Sequence, residues 1–291
     1  MPLLVNDPFE IEPDALTSNE RDREASPLKP VLWHVEIQGR VVRFFRSGCK
    51  CPFDRHGKRG GIGPWTHQSR MNMLRFLNRV DWKRSPAYVF LTLTYPDEID
   101  HRNYTKRSLD KQKFFRLMES HYGREVSVLW RWEWKKRKTG NRVGELMPHM
   151  HAVPFGVWWL DKEKLREMWA SAIGRESGPL STVVRRVYGV DGVAKYLAKY
   201  LSKEVDLDIG TYHNNGIKFG RHWGVTRSES VKLCPVALER VLTRAEVKRV
   251  RQFGAMRWSG YDADTGGGFT LLGETYVNGF GKWLKSSGQT K

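Results

Sequence analysis

Two histidines stand two residues apart in the run MPHMHAVPF, at His149 and His151. Side chains at i and i+2 of a strand leave the same face, so the two imidazoles point the same way. Imidazole nitrogens with a carboxylate make a familiar set of divalent-cation ligands. Glu133 offers the carboxylate. In VSVLWRWEWKKR (126–137) it alternates with Trp130, Trp132 and Trp134. If Met150 faces the core with the tryptophans, His149, His151 and Glu133 share the polar face of one hairpin. A His-x-His pair alone is more often a surface or hydrogen-bonded pair; the carboxylate on the same face singles this one out.

A second group of reactive side chains lies further on. DGVAKYLAKYLSKE (191–204) separates at the helical period. Val193, Ala194, Leu197, Ala198 and Leu201 form an aliphatic stripe, and Tyr196, Lys199, Tyr200 and Lys203 form another, roughly opposite. A phenol with pKa near 10 is a poor nucleophile at neutral pH. Neighbouring ammonium groups favour the phenolate, and a cation polarising a phosphate oxygen lowers the barrier from the electrophile's side. Tyrosine, lysine and a His/His/Glu site thus form a kit for attack on a phosphodiester through a covalent phosphotyrosine.

The elements that must position these residues follow from local pattern. Residues 31–45 read as two short strands around Gly39, and THQSRMNMLRFLNRVDW (66–82) as a helix. The strand AYVFLTLTY (87–95) precedes a helix at 108–123 ended by Gly123. The strand at 126–137, a hairpin loop and the histidine strand come next. A helix capped by Asp161 (161–174), a strand at 181–189 and a helix capped by Asp191 (191–204) complete the series. This order predicts an α+β fold, a central antiparallel sheet with helices packed on one face. A Thr-x-x-Glu capping box opens a basic helix at 243–254, with Gly254 as its expected end. DADTGGGF reads as a loop and WLKSSGQTK as a frayed end.

Residues 1–30 carry seven acids and three bases, a net of −4, and read as an acidic tail. The expected organisation is that tail, a basic N-terminal accessory segment at 31–80, a catalytic core at 81–205 and a basic C-terminal accessory segment at 206–291. With 40% hydrophobic and 12% aromatic residues the 291-residue chain is a folded protein. Its net charge of +18 points to a polyanion, and nucleic acid is the commonest one. No apolar run approaches the ~20 residues of a membrane span, and the N-terminus lacks the pattern of a secretory signal. Three cysteines argue against a disulfide scaffold and for a reducing cytoplasm. Cys49 and Cys51 with His56 and His67 fit no standard zinc spacing and read as free thiols in a basic loop. Trp158 and Trp159 read as core or interface residues.

Three motifs in order resemble the HUH endonuclease superfamily, specifically its rolling-circle replication initiators. VFLTLTYPDE is similar to the first motif, a hydrophobic strand ending in Thr/Tyr. PHMHAV is similar to the second, His-hydrophobic-His. YLAKYLSK is similar to the third, two tyrosines four apart with a lysine between. The paired form resembles replication-associated proteins of small single-stranded DNA phages and related plasmid initiators. GRHWGVTRS (220–228) is loosely similar to a Gly-Arg-aromatic-Gly stretch of the phage members. The resemblance covers about residues 81–230.

The resemblance implies a palm-like sheet and Mg²⁺ or Mn²⁺ held by His149, His151 and a third polar ligand, for which Glu133 is the candidate. One of Tyr196 and Tyr200 would cleave single-stranded origin DNA and keep the 5′ phosphate; the freed 3′ hydroxyl primes synthesis; the second tyrosine can cleave after one round. Lys199 would position the phosphate, and Lys203, Arg131, Lys135 and Arg221 would contact the DNA. The sequence has no Gly-x-x-x-x-Gly-Lys-Ser/Thr, so strand opening would fall to a host helicase with the replication machinery, in a bacterial host cytoplasm. Rival expectations are a two-tyrosine transposase of the same mechanism, a non-catalytic single-stranded nucleic-acid-binding protein and a zinc hydrolase without a covalent intermediate. A relaxase is disfavoured, because relaxases often place the tyrosine near the N-terminus and use three histidines.

Overall fold

The computed structural model describes residues 32–47, 67–96, 99, 102–138, 141, 143–175, 182–187, 220–257, 261 and 268–286. In chain order the elements are β1 (Leu32–Gln38), β2 (Val41–Ser47), α1 (His67–Arg79), β3 (Val89–Thr94), α2 (Tyr104–Tyr122) and β4 (Val128–Lys136). They continue with β5 (Leu146–Pro154), α3 (Lys162–Ile173), β6 (Thr182–Arg186), β7 (Trp223–Val225), β8 (Val236–Val241), α4 (Arg244–Arg257), β9 (Phe269–Leu272) and α5 (Glu274–Ser286). The expected helix at 191–204 lies outside the described residues. No helix among the described residues is long and apolar enough to cross a membrane.

The chain divides into two compact units, Arg59–Leu233 and the combined segments Met1–Lys58 and Cys234–Lys291. The unit of combined ends holds a four-stranded antiparallel sheet in the order β8-β1-β2-β9. Gly39, at φ 57°, makes the β1–β2 turn a glycine position. Val35, Val42, Phe44, Phe269 and Leu271 pack with Val247, Val250 and Phe253 of α4 and Phe280 of α5. The capping box forms as expected: Thr243 N donates to Glu246 Oε2 (2.9 Å) and Glu246 N to Thr243 Oγ1 (3.3 Å). Gly254, however, does not end that helix, which runs on to Arg257. A Cβ at Gly254 would come within 2.7 Å of the Tyr261 ring, so the missing side chain serves packing rather than termination. The frayed end expected at the C-terminus is likewise corrected in part, because α5 is a helix as far as Ser286.

The other unit holds a five-stranded sheet in the order β6-β3-β5-β4-β7, every neighbouring pair antiparallel. This is the α+β arrangement expected. One face is covered by α2 and α3, whose Phe114, Phe115, Met118, Leu165, Met168 and Trp169 pack on Leu91, Leu93, Trp130, Trp132 and Met150. Two cations of α2 cover the tryptophan row. Arg107 Cζ lies 4.9 Å from the Trp134 ring centroid and Lys111 Nζ 3.5 Å from that of Trp130, contacts that favour a cation over an aromatic face. Asn103 caps α2 through Thr105 N and Lys106 N, which starts the helix earlier than the pattern suggested, and Gly123 at φ 61° ends it. Asp161 caps α3 as expected.

A third helix departs from the one-sided arrangement. Met73 and Leu77 of α1 pack on Phe90, Leu129, Val153 and Phe155, which belong to the opposite face. The sheet is therefore covered on one side throughout and on the other around the end of β5. The histidine end of β5 carries polar side chains instead.

Candidate active site on the histidine face

Strand register decides which polar groups meet. His149 of β5 pairs with Glu133 of β4 and with Thr94 of β3; His151 pairs with Arg131 and with Thr92. Directly opposed residues share a face. The alternation in WRWEW therefore does what the sequence implied: its tryptophans face the helices while Glu133 faces the histidines. Diagonal neighbours on that face also touch. His151 Nε2 lies 2.6 Å from Glu133 Oε2, and both side chains are buried.

Two threonines hold the imidazoles from the other side. Thr94 Oγ1 is 2.8 Å from His149 Nδ1, and Thr92 Oγ1 is 3.1 Å from His151 Nδ1. A hydroxyl can donate or accept, so it suits either ring tautomer. With Nδ1–H donating to the threonine, Nε2 keeps its lone pair for a ligand. With Nε2–H donating to Glu133, as the 2.6 Å contact of His151 allows, the Thr92 hydroxyl turns round and donates to Nδ1. The threonines sit at i and i+2 on β3, the same spacing as the histidines they face. Both lie in the first motif, VFLTLTYPDE, and their alternation is the sequence signal for this role.

Burial sets the charge state. Desolvation, helped by the nearby Lys135 ammonium, pushes the His149 imidazole down to about 4. Burial lowers His151 as well, against the pull of Glu133. Both rings are then neutral at pH 7, the form in which imidazole binds a metal. Burial pushes the Glu133 carboxyl up, but hydrogen bonds from His151 and Lys135 outweigh it and hold the group below its usual range. Lys135 Nζ lies 2.6 Å from Glu133 Oε2, so an ammonium already meets one carboxylate oxygen. The other, Oε1, is buried with no hydrogen-bond partner. A buried carboxylate oxygen left without a donor, on the same sheet face as two neutral imidazoles, has the chemistry of a cation ligand. Among the described residues, however, no three His, Cys, Asp or Glu side chains are close enough together to form a metal-holding group.

The remaining expected site residues are distributed as follows. Arg131 is 1% exposed and so lies inside the unit rather than at its surface. Lys135 is part-exposed, with its ammonium on Glu133. Arg221 is exposed. With His222, Trp223, Phe76 and Ser69 it lines an open cleft of about 420 Å³ beside β7. Trp223 pairs with Arg131 and so belongs to the histidine face. Tyr196, Lys199, Tyr200 and Lys203 lie outside the described residues. So do Cys49, Cys51 and His56.

The glycines of GRHWG have steric reasons. A Cβ on Gly220 would fall 1.6 Å from the Tyr104 ring, and one on Gly224 would fall 2.9 Å from Trp130 Cζ2. The backbone of this stretch passes against aromatic rings, and Trp132 N donates to His222 O at 2.7 Å. Only glycine fits such an approach without displacing a ring.

Residues 88–205 match the family model of the replication-associated protein ORF2/G2P. The match takes in the threonine strand, the histidine strand and the two-tyrosine stretch. It supports a replication-associated role of the initiator kind, with DNA as the partner. No curated protein and no solved structure gives a significant match to the chain.

Proposed function

We propose that this protein starts rolling-circle replication by nicking single-stranded origin DNA through a tyrosine, and rejoins the strand at the end. The observation that carries the reading is that His149, His151 and Glu133 share one sheet face, with Thr94 and Thr92 on the two imidazoles. The family match over 88–205 and the net charge of +18 agree with it.

Glu133, His149 and His151 are the residues that would hold Mg²⁺ or Mn²⁺, which when bound would polarise the scissile phosphate. The neutral imidazoles present nitrogen donors, and the threonines fix which nitrogen faces outward. Tyr196 or Tyr200 attacks phosphorus through its phenolic oxygen. The new bond joins that oxygen to the 5′ phosphate, the bond to the 3′ oxygen breaks, and the proton lost by the phenol is balanced by the one gained at the 3′ hydroxyl. Lys199, next to Tyr200 and three residues after Tyr196 in the sequence, would favour the phenolate. Attack by the second tyrosine on the returning strand, followed by attack of a free 3′ hydroxyl on a phosphotyrosine, closes the product without loss of phosphodiester energy. A host helicase would open the duplex, and bacterial cytoplasm would be the setting.

The test is a covalent adduct. Labelled single-stranded origin DNA and Mn²⁺ should give a protein–DNA species stable to denaturation. Tyr196→Phe and Tyr200→Phe together should abolish it, and His149→Ala should remove both the adduct and its metal dependence. An adduct that survives the double tyrosine change would refute the mechanism.

A further inference from the structure

The segment Val157-Trp158-Trp159-Leu160 joins β5 to α3 and has an unusual burial order. Val157 and Leu160 are each 1% exposed, while Trp158 between them is 64% exposed and Trp159 is 43% exposed. A core or interface place is the expectation for both tryptophans. Their neighbours occupy the core instead and fix the segment at both ends. Tyr122 Oη donates to Trp159 O at 2.7 Å, and Arg124 Nη2 donates to Gly156 O at 2.7 Å. The loop is thus tied down while two indoles face water. A soluble fold normally keeps such groups inside, so exposing two together requires a reason.

Their surroundings are cationic. The Arg186 guanidinium lies 5.7 Å from the Trp158 ring centroid and 5.3 Å from that of Trp159. The Tyr88 ring meets Trp158 edge-on at 4.8 Å and sets its orientation. The next acid along the sequence, Asp161, caps α3 through Glu163 N and Lys164 N. Flat aromatic faces beside a guanidinium are how proteins hold unpaired bases and their phosphates. A duplex keeps its base faces stacked away and offers only its backbone and the base edges in its grooves.

We propose that Trp158 and Trp159, with Arg186, form a stacking platform for the bases of single-stranded DNA, sharing no residue with the histidine site. That the strand is DNA rests on the function proposed above; the stacking itself does not. The platform would hold the strand outside the cutting centre.

The experiment uses the full chain and fluorescein-labelled oligo(dT), read by anisotropy. Base–aromatic stacking is worth ~1–3 kcal/mol per base, so Trp158→Ala should weaken binding by about 5- to 150-fold. Trp159→Ala should act in the same direction, and Trp158→Phe should restore most of the affinity. Duplex DNA of the same length should bind all variants alike. Unchanged oligo(dT) affinity in both alanine variants, or equal losses on duplex, would overturn the platform. Ultraviolet crosslinking of the unaltered protein to an oligonucleotide carrying 5-iodouracil gives a measurement independent of variant folding. Adducts should map to the peptide holding residues 157–160, and adducts confined elsewhere would also overturn it. His149→Ala should keep the platform's affinity while losing the nick. A tryptophan effect without any covalent adduct would therefore sink the nickase alone, and an adduct without a tryptophan effect the platform alone.

Discussion

Removing the two threonine hydroxyls tests the histidine face most directly. Thr92→Val and Thr94→Val keep shape and favour a strand, yet delete the 3.1 Å and 2.8 Å contacts to His151 Nδ1 and His149 Nδ1. A net hydrogen bond is worth ~1 kcal/mol, which is about fivefold in the population of the correctly turned ring. Both rings must be correct together, so the double variant should bind Mn²⁺ some 25-fold more weakly, inside the 10- to 100-fold range usual for groups behind a metal ligand. Free Mn²⁺ measured by electron paramagnetic resonance during titration gives the affinity. Adduct formation against Mn²⁺ concentration should shift by the same factor and recover at saturating metal. An affinity within twofold of the parent would refute the orienting role. A parent protein that takes up no Mn²⁺ would refute the ligand set itself.

Two further outcomes test the architecture around the site. Gly224→Ala should destabilise the fold by ~1–3 kcal/mol, the usual cost of overpacking, because the new methyl meets Trp130 at 2.9 Å; an unchanged melting temperature would contradict that. Lys111 is held down to about 8 by burial and by the Arg221 charge. Its unfolded-state value is near 10.4. The unfolded chain thus binds more protons between those values, and stability should rise with pH across that window. The penalty is in full force below about pH 8 and gone above about pH 10.5. At ~1.4 kcal/mol per unit it amounts to about 3 kcal/mol at most, less what the contact with Trp130 returns to the charged form. Urea unfolding at pH 7.5 and pH 10 should show this rise in the parent relative to Lys111→Met, and parallel curves would exclude it.

Much of this site could be read from period alone. Alternation of two placed Glu133 opposite the tryptophans, and the hairpin loop turned the histidines toward it. Asp161 and Gly123 marked helix ends because cap chemistry is local. Thr92 and Thr94 escaped notice because their partners sit 55 and 59 residues away, and only the pairing of β3 with β5 reveals them. Arg131 had the alternation of a polar-face residue, yet that face is itself partly buried, so polarity did not mean exposure. Gly254 carried a helix-end signal that tertiary packing overrode. The strands β8 and β9 are short and weakly alternating, and their place beside β1 and β2 is a long-range fact that no local window holds.

That last sheet has a consequence for how the protein is made on a ribosome. β1 and β2 leave the ribosome before the strands that flank them: β8 begins about 190 residues and β9 about 220 residues after β2 ends, some 10–45 s at ordinary elongation rates of ~5–20 residues per second. A lone hairpin is marginal in water, and both of its edges stay open to other chains meanwhile. The unit built from Arg59–Leu233 has no such wait, since all its strands lie within one stretch. Synthesis therefore supplies every strand of the Arg59–Leu233 unit before the four-stranded sheet has its outer strands.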